Sequence, residues 1–244
     1  MQGPVQLTRG TVDFDAAADG RCCPCNHCAG LSIHQDGSTL QQYFLYAAKL
    51  IDKIEGSFVE AGFGNGTSAS TFVGLMSKNL ITKRNIWLYD SFEGFPQPSP
   101  EDRSVRNPQK GEWKRSIQPA LDIKKYVSQN LGTEAEVVKG YFEETIPTSY
   151  GSEPIAMLHL DCDLYNSYKV CLEGLYDKVA PGGLILFDDY RLVGDADFDA
   201  WPGASKAVDN FFKKIDIQLV KAQFDPKIYK GWENKPKYFA IKER

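Results

Sequence analysis

The chain has 244 residues, of which 42% are hydrophobic and 25% are charged, and its formal net charge is −4. This length suits one large α/β domain and is short for two, so residues 1–244 are expected to form a single domain. The mild negative charge provides no basic surface for nucleic acid or for an anionic membrane. No apolar run approaches the roughly 20 residues that span a bilayer, and the N-terminus does not read as a secretory signal. We therefore expect a cytoplasmic protein.

Residues 1–37 lack clear periodicity and are predicted to form an N-terminal arm or cap. The segment contains four close cysteines, Cys22, Cys23, Cys25 and Cys28. Cys25 and Cys28 form one Cys-x-x-Cys pair, but the second pair that a structural zinc site usually needs is absent. Two interpretations stay open, namely a metal or redox site and a reduced surface segment without chemistry.

From Ser38 onward, the hydrophobic pattern predicts helices that alternate with strands. The predicted helices cover residues 38–55, 67–80, 123–132, 168–179 and 204–215. The predicted strands cover residues 57–62, 85–90, 135–140, 154–161, 183–189 and 237–243. This alternation is typical of the α/β class with a doubly wound, mostly parallel sheet. The last strand follows a connection too short for a helical crossover, so we expect it to run antiparallel.

A long segment rich in proline and charge, residues 92–117, follows the second predicted strand. Loops of this length in a compact domain are usually lids or disordered excursions. Ligands of open α/β sheets bind beyond the carboxyl ends of the strands, where this segment begins. We predict that it is a lid insertion over the site.

The first strand ends in a glycine-rich turn with the sequence EAGFGNGTS. Gly62, Gly64 and Gly66 allow the backbone to approach a ligand closely. The third glycine of the dinucleotide fingerprint would fall at Thr67, so that fingerprint fits poorly. Glu60 is better suited to a cationic ligand, and S-adenosylmethionine (SAM) carries a sulfonium and an ammonium. A tight turn without a ligand remains the alternative.

Two further strand ends supply candidate contacts to a nucleoside. Asp90 ends the second strand, where an acid can accept hydrogen bonds from both ribose hydroxyls, and Ser91 can add another. After the third strand, Gly140 permits close approach, Phe142 can face an adenine ring and Glu143 can accept from its amino group. The alternatives are a helix cap for Asp90 and core packing for Phe142.

Four acids follow the fourth and fifth strands, in the segments HLDCDLYNS and LILFDDY. Carboxylates that meet within a few ångströms repel one another unless a cation neutralises them. Asp161, Asp188 and Asp189 are therefore predicted to bind a divalent metal such as Mg²⁺, and Asp163 is the candidate general base. The alternative is that these acids cap the helices that follow. His159 is interpreted as a core histidine in preference to a substrate contact.

Six segments resemble, in order and spacing, the macrocin O-methyltransferase (TylF-type) family. They are FVEAGFGNG, LYDSFEGFP, KGYFEETIP, LHLDCDLYNS, PGGLILFDDY and WPGASKAVDNFF, and the resemblance covers about residues 38–244. It implies a class I SAM-dependent methyltransferase with a Rossmann-like, seven-stranded sheet that uses SAM and Mg²⁺. It further implies a role in natural product biosynthesis, methylating a hydroxyl of a sugar or glycosylated natural product, and a homodimer.

The resemblance also implies site roles. Ala61, Ser68 and Asp161 are implied to contact the cofactor, in addition to the residues above. The pattern is similar to that of catechol O-methyltransferase, whose proton acceptor is a lysine where this chain has Leu164. The macrocin-type pattern implies that Asp163 takes the role of base. A catechol-like small-molecule O-methyltransferase, a nicotinamide-dependent oxidoreductase and a non-enzymatic ligand-binding protein are the alternatives.

Overall fold

A computed structural model describes residues 37–191, 199–222 and 237–243 of the chain. Six α-helices are described: α1 (Gly37–Leu50), α2 (Thr67–Ser77), α3 (Gln118–Asn130), α4 (Phe142–Ser149), α5 (Tyr165–Leu175) and α6 (Pro202–Ile215). Seven strands are described: β1 (Ser57–Ala61), β2 (Ile86–Asp90), β3 (Ala135–Lys139), β4 (Ile155–Leu160), β5 (Val179–Phe187), β6 (Val220–Lys221) and β7 (Tyr238–Ile241). None of the described helices is long and apolar enough to cross a membrane.

The seven strands form one sheet in the order β3-β2-β1-β4-β5-β7-β6. The strands from β3 to β5 in this order are mutually parallel, and β7 runs antiparallel to both β5 and β6. The predicted doubly wound, mostly parallel sheet with an antiparallel last strand is thus confirmed. The strand order reverses between β1 and β4, and ligands of such sheets bind at this switch point.

Both faces of the sheet are covered by helices, which explains the continuous apolar runs of the central strands. All residues of β1 and β4 are buried. One core contains residues of α1, α2 and α3, including Phe58 of β1 stacked on Phe72 of α2 with ring centroids 4.1 Å apart. The other core contains residues of α4, α5 and α6, including Tyr168. The site therefore lies on a rigid, two-sided scaffold.

Several element boundaries differ from the prediction, and strand β6 was not predicted. Helix α1 ends at Leu50 rather than at residue 55. Strand β4 ends at Leu160, so the chain has already left the sheet at the first acid. Helix α4 was not predicted, because Pro147 in its interior is a residue that usually breaks helices. The arm at residues 1–37 and its cysteines fall, apart from Gly37, outside the described residues.

Candidate active site

The glycine-rich turn after β1 lies directly against the start of the acidic segment after β4. Gly62 has a φ of 93°, and a Cβ atom placed there would lie 1.7 Å from the carbonyl oxygen of Asp161. The N–H of Asp161 donates to the carbonyl of Ala61 at 2.9 Å. Only glycine fits this position, because any side chain would collide with the neighbouring backbone. The turn therefore holds the ends of β1 and β4 together.

Asp90, at the end of β2, fixes the same turn from the other side. Its Oδ2 accepts a hydrogen bond from the N–H of Gly64 at 3.0 Å, and its Oδ1 accepts from the N–H of Phe92 at 2.7 Å. Each carboxylate oxygen can accept more than one hydrogen bond, so these contacts leave capacity for ribose hydroxyls. The predicted ribose contact is compatible with this geometry and stays a prediction.

A cavity of about 540 Å³, its open mouth included, lies beyond these strand ends. Seven of the residues predicted to bind the cofactor line it, namely Gly62, Asp90, Ser91, Gly140, Phe142, Glu143 and Asp161. Asp163 lines it as well. Glu60, Ala61 and Ser68 are not among its described lining residues. The sheet thus brings most of the predicted cofactor residues to one cavity, at which the acidic segment also begins.

The segment 92–117 forms one wall of this cavity, through Phe95, Glu112 and Trp113. The N–H of Phe95 donates to the carbonyl of Glu112, and the N–H of Gly111 donates to the carbonyl of Phe95, both at 2.9 Å. These two bonds close the segment into a paired loop. It is a hydrogen-bonded wall in this structure, and its movement as a lid stays a prediction.

Arg106, which the sequence analysis did not single out, connects this wall to the start of α6; we call this contact the arginine clamp. The guanidinium of Arg106 lies 4.9 Å from the ring centroid of Trp113 and 4.8 Å from that of Trp201, which precedes α6. Arg106 also forms an ion pair with Glu112. A cation between two indole faces is attracted to both. The clamp therefore joins the wall to the start of α6.

Three carboxylates gather at the strand ends. Asp161, Asp163 and Asp189 each place one oxygen so that the three oxygens lie within 4.8 Å of one another. Asp161 is half-buried, whereas Asp163 and Asp189 are 6% and 2% exposed. Asp163 has a left-handed φ of 61°, and its N–H donates to Oδ2 of Asp189 at 2.9 Å. A turn, and not the alternation of a strand, therefore brings Asp161 and Asp163 together.

Burial and mutual repulsion shift the pKa values of these acids. Burial first, and then the carboxylates of Asp188 and Asp189, raise the pKa of Asp161 well above its ordinary value. Burial, followed by Asp189 and Asp161, does the same to the pKa of Asp163. Burial and then Asp188 raise the pKa of Asp189 to about 6. The positive groups of the protein therefore offset the repulsion among these three carboxylates only in part.

Asp188 differs from the three. Its Oδ1 forms an ion pair with Lys237, which precedes β7, and the Lys237 ammonium also donates to the Asp188 carbonyl at 3.1 Å. Burial would raise the pKa of Asp188, but Lys237 and then His159 outweigh it and hold that pKa below its ordinary value. Sequence reasoning missed Lys237. Asp188 therefore has a cation from the protein, and its predicted role as a metal ligand stays a prediction.

The three gathered carboxylates suit a hard divalent cation. Mg²⁺ takes oxygen ligands and usually binds through one or two carboxylates together with water or substrate oxygens. A cation beside Asp161 and Asp189 would offset the repulsion that adds to burial in raising their pKa values. The donor atoms and their spacing thus fit a divalent cation, and Asp163, the predicted base, lies in the same cluster.

Glu60 and His159 form a buried pair beneath the site. Both side chains are 0% exposed, and His159 Nδ1 lies 3.1 Å from Glu60 Oε1. Among the residues that the structure describes, Glu60 Oε2 and His159 Nε2 have no hydrogen-bond partner. Burial raises the pKa of Glu60, although its hydrogen bond to His159 opposes the rise. His159 is thus a core residue, as interpreted, and the cofactor contact of Glu60 stays a prediction.

Comparisons with known proteins identify a family and several relatives for this chain. The family described as Macrocin-O-methyltransferase (TylF) matches residues 39–224. Demethyldecarbamoylnovobiocin O-methyltransferase of Streptomyces niveus is 28% identical over 172 residues, which are 68% of this chain and 62% of that protein. The 8-demethyl-8-(2,3-dimethoxy-alpha-L-rhamnosyl)-tetracenomycin-C 4'-O-methyltransferase of Streptomyces olivaceus is 30% identical over 147 residues, 59% of this chain and 56% of that protein. The chain thus spans less than two thirds of the length of these relatives.

Solved structures share the fold. The O-methyltransferase NovP has a TM-score of 0.62 at 23% identity, covering 84% of this chain and 79% of its own. The calicheamicin methyltransferase CalS11 has a TM-score of 0.65 at 22% identity, covering 84% and 78%. At these identities the likeness establishes the fold alone, while the family match extends over most of the chain. The chain belongs to the macrocin-O-methyltransferase (TylF) family.

Proposed function

We propose that the protein is a SAM-dependent and Mg²⁺-dependent O-methyltransferase that methylates a hydroxyl of a sugar or of a glycosylated natural product. One observation carries this proposal: the carboxylates of Asp161 and Asp163 line the cavity that also contains the glycine-rich turn and Asp90. A methyl donor held at the turn would therefore lie beside an acceptor held at the acids. Family membership and the names of the relatives support the choice of a sugar or glycoside over a catechol-like phenol.

The residues of the cavity divide into two halves. Asp90 would accept the ribose hydroxyls, Phe142 and Glu143 would contact the adenine, and the turn at Gly62 would approach the methionine part. Asp161 and Asp189, with Asp188 as the third predicted ligand, would hold the cation, and Asp163 beside them would act as the base. When bound, SAM supplies an electrophilic methyl group and Mg²⁺ lowers the pKa of an acceptor hydroxyl. The wall of Phe95 and Trp113 would exclude water from the cavity.

Asp163 would take the proton of the acceptor hydroxyl. Asp163 lines the cavity next to Asp161 and lies in the same cluster as Asp189. Base assistance of this kind contributes ~10²–10⁴-fold in rate. The backbone bond from Asp163 to Asp189 fixes the turn on which this carboxylate is carried.

The test measures transfer of labelled methyl from SAM to alkyl and aryl rhamnosides and to TDP-rhamnose, with Mg²⁺ or with EDTA. We expect transfer with Mg²⁺, its loss in EDTA and its recovery in excess Mg²⁺. Calorimetry with S-adenosylhomocysteine and with NAD runs in parallel and does not depend on the acceptor. Transfer that is insensitive to EDTA would refute metal dependence. Binding of NAD without binding of S-adenosylhomocysteine would favour the oxidoreductase.

The homodimer, the cytoplasmic location and the single domain over residues 1–244 belong to the same proposal. Light scattering of the purified chain tests the dimer, for which we expect twice the 27.3 kDa of one chain.

A further inference from the structure

A tyrosine hydroxyl lies where the ends of β4 and β5 meet, behind the acids of the site. Tyr168, on α5, is 0% exposed. Its hydroxyl lies 2.8 Å from the carbonyl oxygen of Leu160 and 3.0 Å from Oδ2 of Asp189. The N–H of Asp189 donates to the same hydroxyl at 3.2 Å. One side chain of a helix thus contacts the last residue of β4 and both the backbone and the carboxylate of Asp189.

The two carboxylate oxygens of Asp189 differ in their hydrogen bonds. Oδ2 lies in reach of two donors, the Tyr168 hydroxyl at 3.0 Å and the Asp163 N–H at 2.9 Å. Within the described part of the chain, no hydrogen bond is found to Oδ1. Two donors therefore hold Oδ2 and fix the direction of the carboxylate. This is the arrangement by which outer partners orient a metal-binding carboxylate.

The backbone at Leu160 does not need the hydroxyl. Its carbonyl also accepts the N–H of Asp188 at 2.9 Å, so it remains paired without Tyr168. A tyrosine hydroxyl has one proton and can serve one acceptor at a time. Because a charged acceptor forms the stronger bond, the ionised carboxylate of Asp189 is the favoured partner. The function that remains for the hydroxyl is to hold Asp189.

We propose that Tyr168 is a positioning residue that orients the carboxylate of Asp189 and thereby sets the affinity of the site for a divalent cation. The inference rests on the metal site of the proposed function. Sequence reasoning assigned no role to Tyr168, which reads as one more apolar position of a helix that packs on the sheet. Its ring does pack in the core, and only the hydroxyl carries the positioning role.

The test is Tyr168→Phe, which removes the hydroxyl and keeps the packed ring. Binding of Mn²⁺ is followed by electron paramagnetic resonance and binding of Mg²⁺ by calorimetry, both without acceptor. We expect the dissociation constants for both ions to rise about tenfold or more, since loss of such an outer partner typically costs 10–100-fold in metal affinity. The affinity for S-adenosylhomocysteine should stay within about twofold, since the hydroxyl contacts the acids and no nucleoside-binding residue.

Tyr89→Phe is the matched control. Tyr89 is also 0% exposed, and its hydroxyl bonds to Ser149 Oγ at 3.0 Å, away from the acids. Its loss should leave both metal affinities unchanged. Wild-type metal affinity in Tyr168→Phe would overturn the inference alone. A wild-type protein that binds S-adenosylhomocysteine but neither ion would overturn the metal-dependent function and this inference with it.

If Tyr168→Phe fails to fold, 3-fluorotyrosine incorporated at position 168 of the otherwise unchanged chain gives an independent readout. Its ¹⁹F resonance is expected to shift when Mg²⁺ is added. A resonance that saturating Mg²⁺ leaves in place would overturn the proposal.

Discussion

Two groups of ionisable side chains lie on or just after neighbouring strands of the sheet, and their charges are compensated in different ways. Glu60 on β1 meets His159 on β4, and both are fully buried in the core. Asp161, Asp163 and Asp189 meet one another at the strand ends, and two of them line the cavity. The first group has its partner within the protein. In the second group, burial first and mutual repulsion second raise the pKa values of Asp161 and Asp163, and both residues line the cavity.

The difference lies in the surroundings of each acid. The sequence analysis assigned Glu60 to the cofactor and the aspartates to the metal and the base, and all of them stand at or near strand ends. The structure distinguishes them by what each can reach. A buried charge needs a partner, and Glu60 has one in His159 inside the sheet. Asp161, Asp163 and Asp189 crowd one another beside the cavity, which is the arrangement that a cation would compensate.

The largest effect is expected at Asp163. Asp163→Asn keeps the shape of the side chain and the backbone bond to Asp189 but removes the base. We expect the rate of methyl transfer to fall ~10²–10⁴-fold, measured at saturating SAM and Mg²⁺, with the affinity for S-adenosylhomocysteine unchanged. Asp177→Asn, at a side chain that is 95% exposed, is the control. A rate within threefold of wild type at neutral pH would exclude Asp163 as the base.

The second effect concerns stability and the core pair. His159→Leu removes the partner of Glu60 and leaves a buried acid without compensation. We expect the free energy of unfolding in urea to fall by about 3–5 kcal/mol. The double variant Glu60→Met with His159→Leu replaces both members by apolar groups and should recover much of the loss. A loss in the double variant that equals the sum of the losses in His159→Leu and in Glu60→Met would show that the two side chains are not coupled.

Much of the fold could be predicted from the sequence, because alternating apolar helices and continuous apolar strands define a parallel sheet. The cavity could also be predicted in large part. Strand ends in this fold face one edge, so Gly62, Asp90 and Asp161 had to lie close together. Position along the chain, however, does not give the direction of a side chain in the sheet. The sequence therefore did not reveal that Glu60 lies against His159, and its predicted cofactor contact stays a prediction.

The contacts that could not be predicted join residues distant in sequence. Lys237 reaches Asp188 from the far end of the chain, and Tyr168 reaches Asp189 from a helix. Arg106 stands between Trp113 and Trp201 only because the wall and α6 pack together. The sequence around Lys237, Tyr168 or Arg106 contains no motif that would indicate these contacts. Only the assembled fold brings each to its partner.

The third effect is the response of stability to Mg²⁺. A cation that binds only the folded protein at a concentration 100 times its dissociation constant should stabilise it by about 2.7 kcal/mol. For a chain of this size we expect a rise in Tm of roughly 5–10 °C. Asp189→Asn should abolish the rise, whereas Glu60→Gln should keep it. Equal ionic strength from NaCl is the control for screening. A rise that survives in Asp189→Asn would place the cation elsewhere.

The smallest effect is the pH dependence of stability that the core pair causes. It tests how far His159 offsets the effect of burial on the pKa of Glu60. Burial raises the pKa of Glu60 above its ordinary value of 4.5, against the opposing effect of His159. The folded protein therefore holds this proton more tightly than the unfolded chain does. As the pH rises above 4.5, the unfolded chain ionises first, and the wild type should lose stability relative to Glu60→Gln.

The loss should continue until the pH passes the raised pKa, and each pKa unit of elevation is worth about 1.4 kcal/mol. Urea unfolding of both proteins at pH 4, 5, 6 and 7 measures it, and His159 is common to both. A stability difference that stays constant over this range would show that His159 cancels the effect of burial. A difference that moves in favour of the wild type would show that the pKa of Glu60 lies below its ordinary value. In either case His159 would compensate the charge of Glu60 more fully than the protein compensates the carboxylates at the cavity. The two groups would then differ more in their electrostatics than their geometry alone indicates.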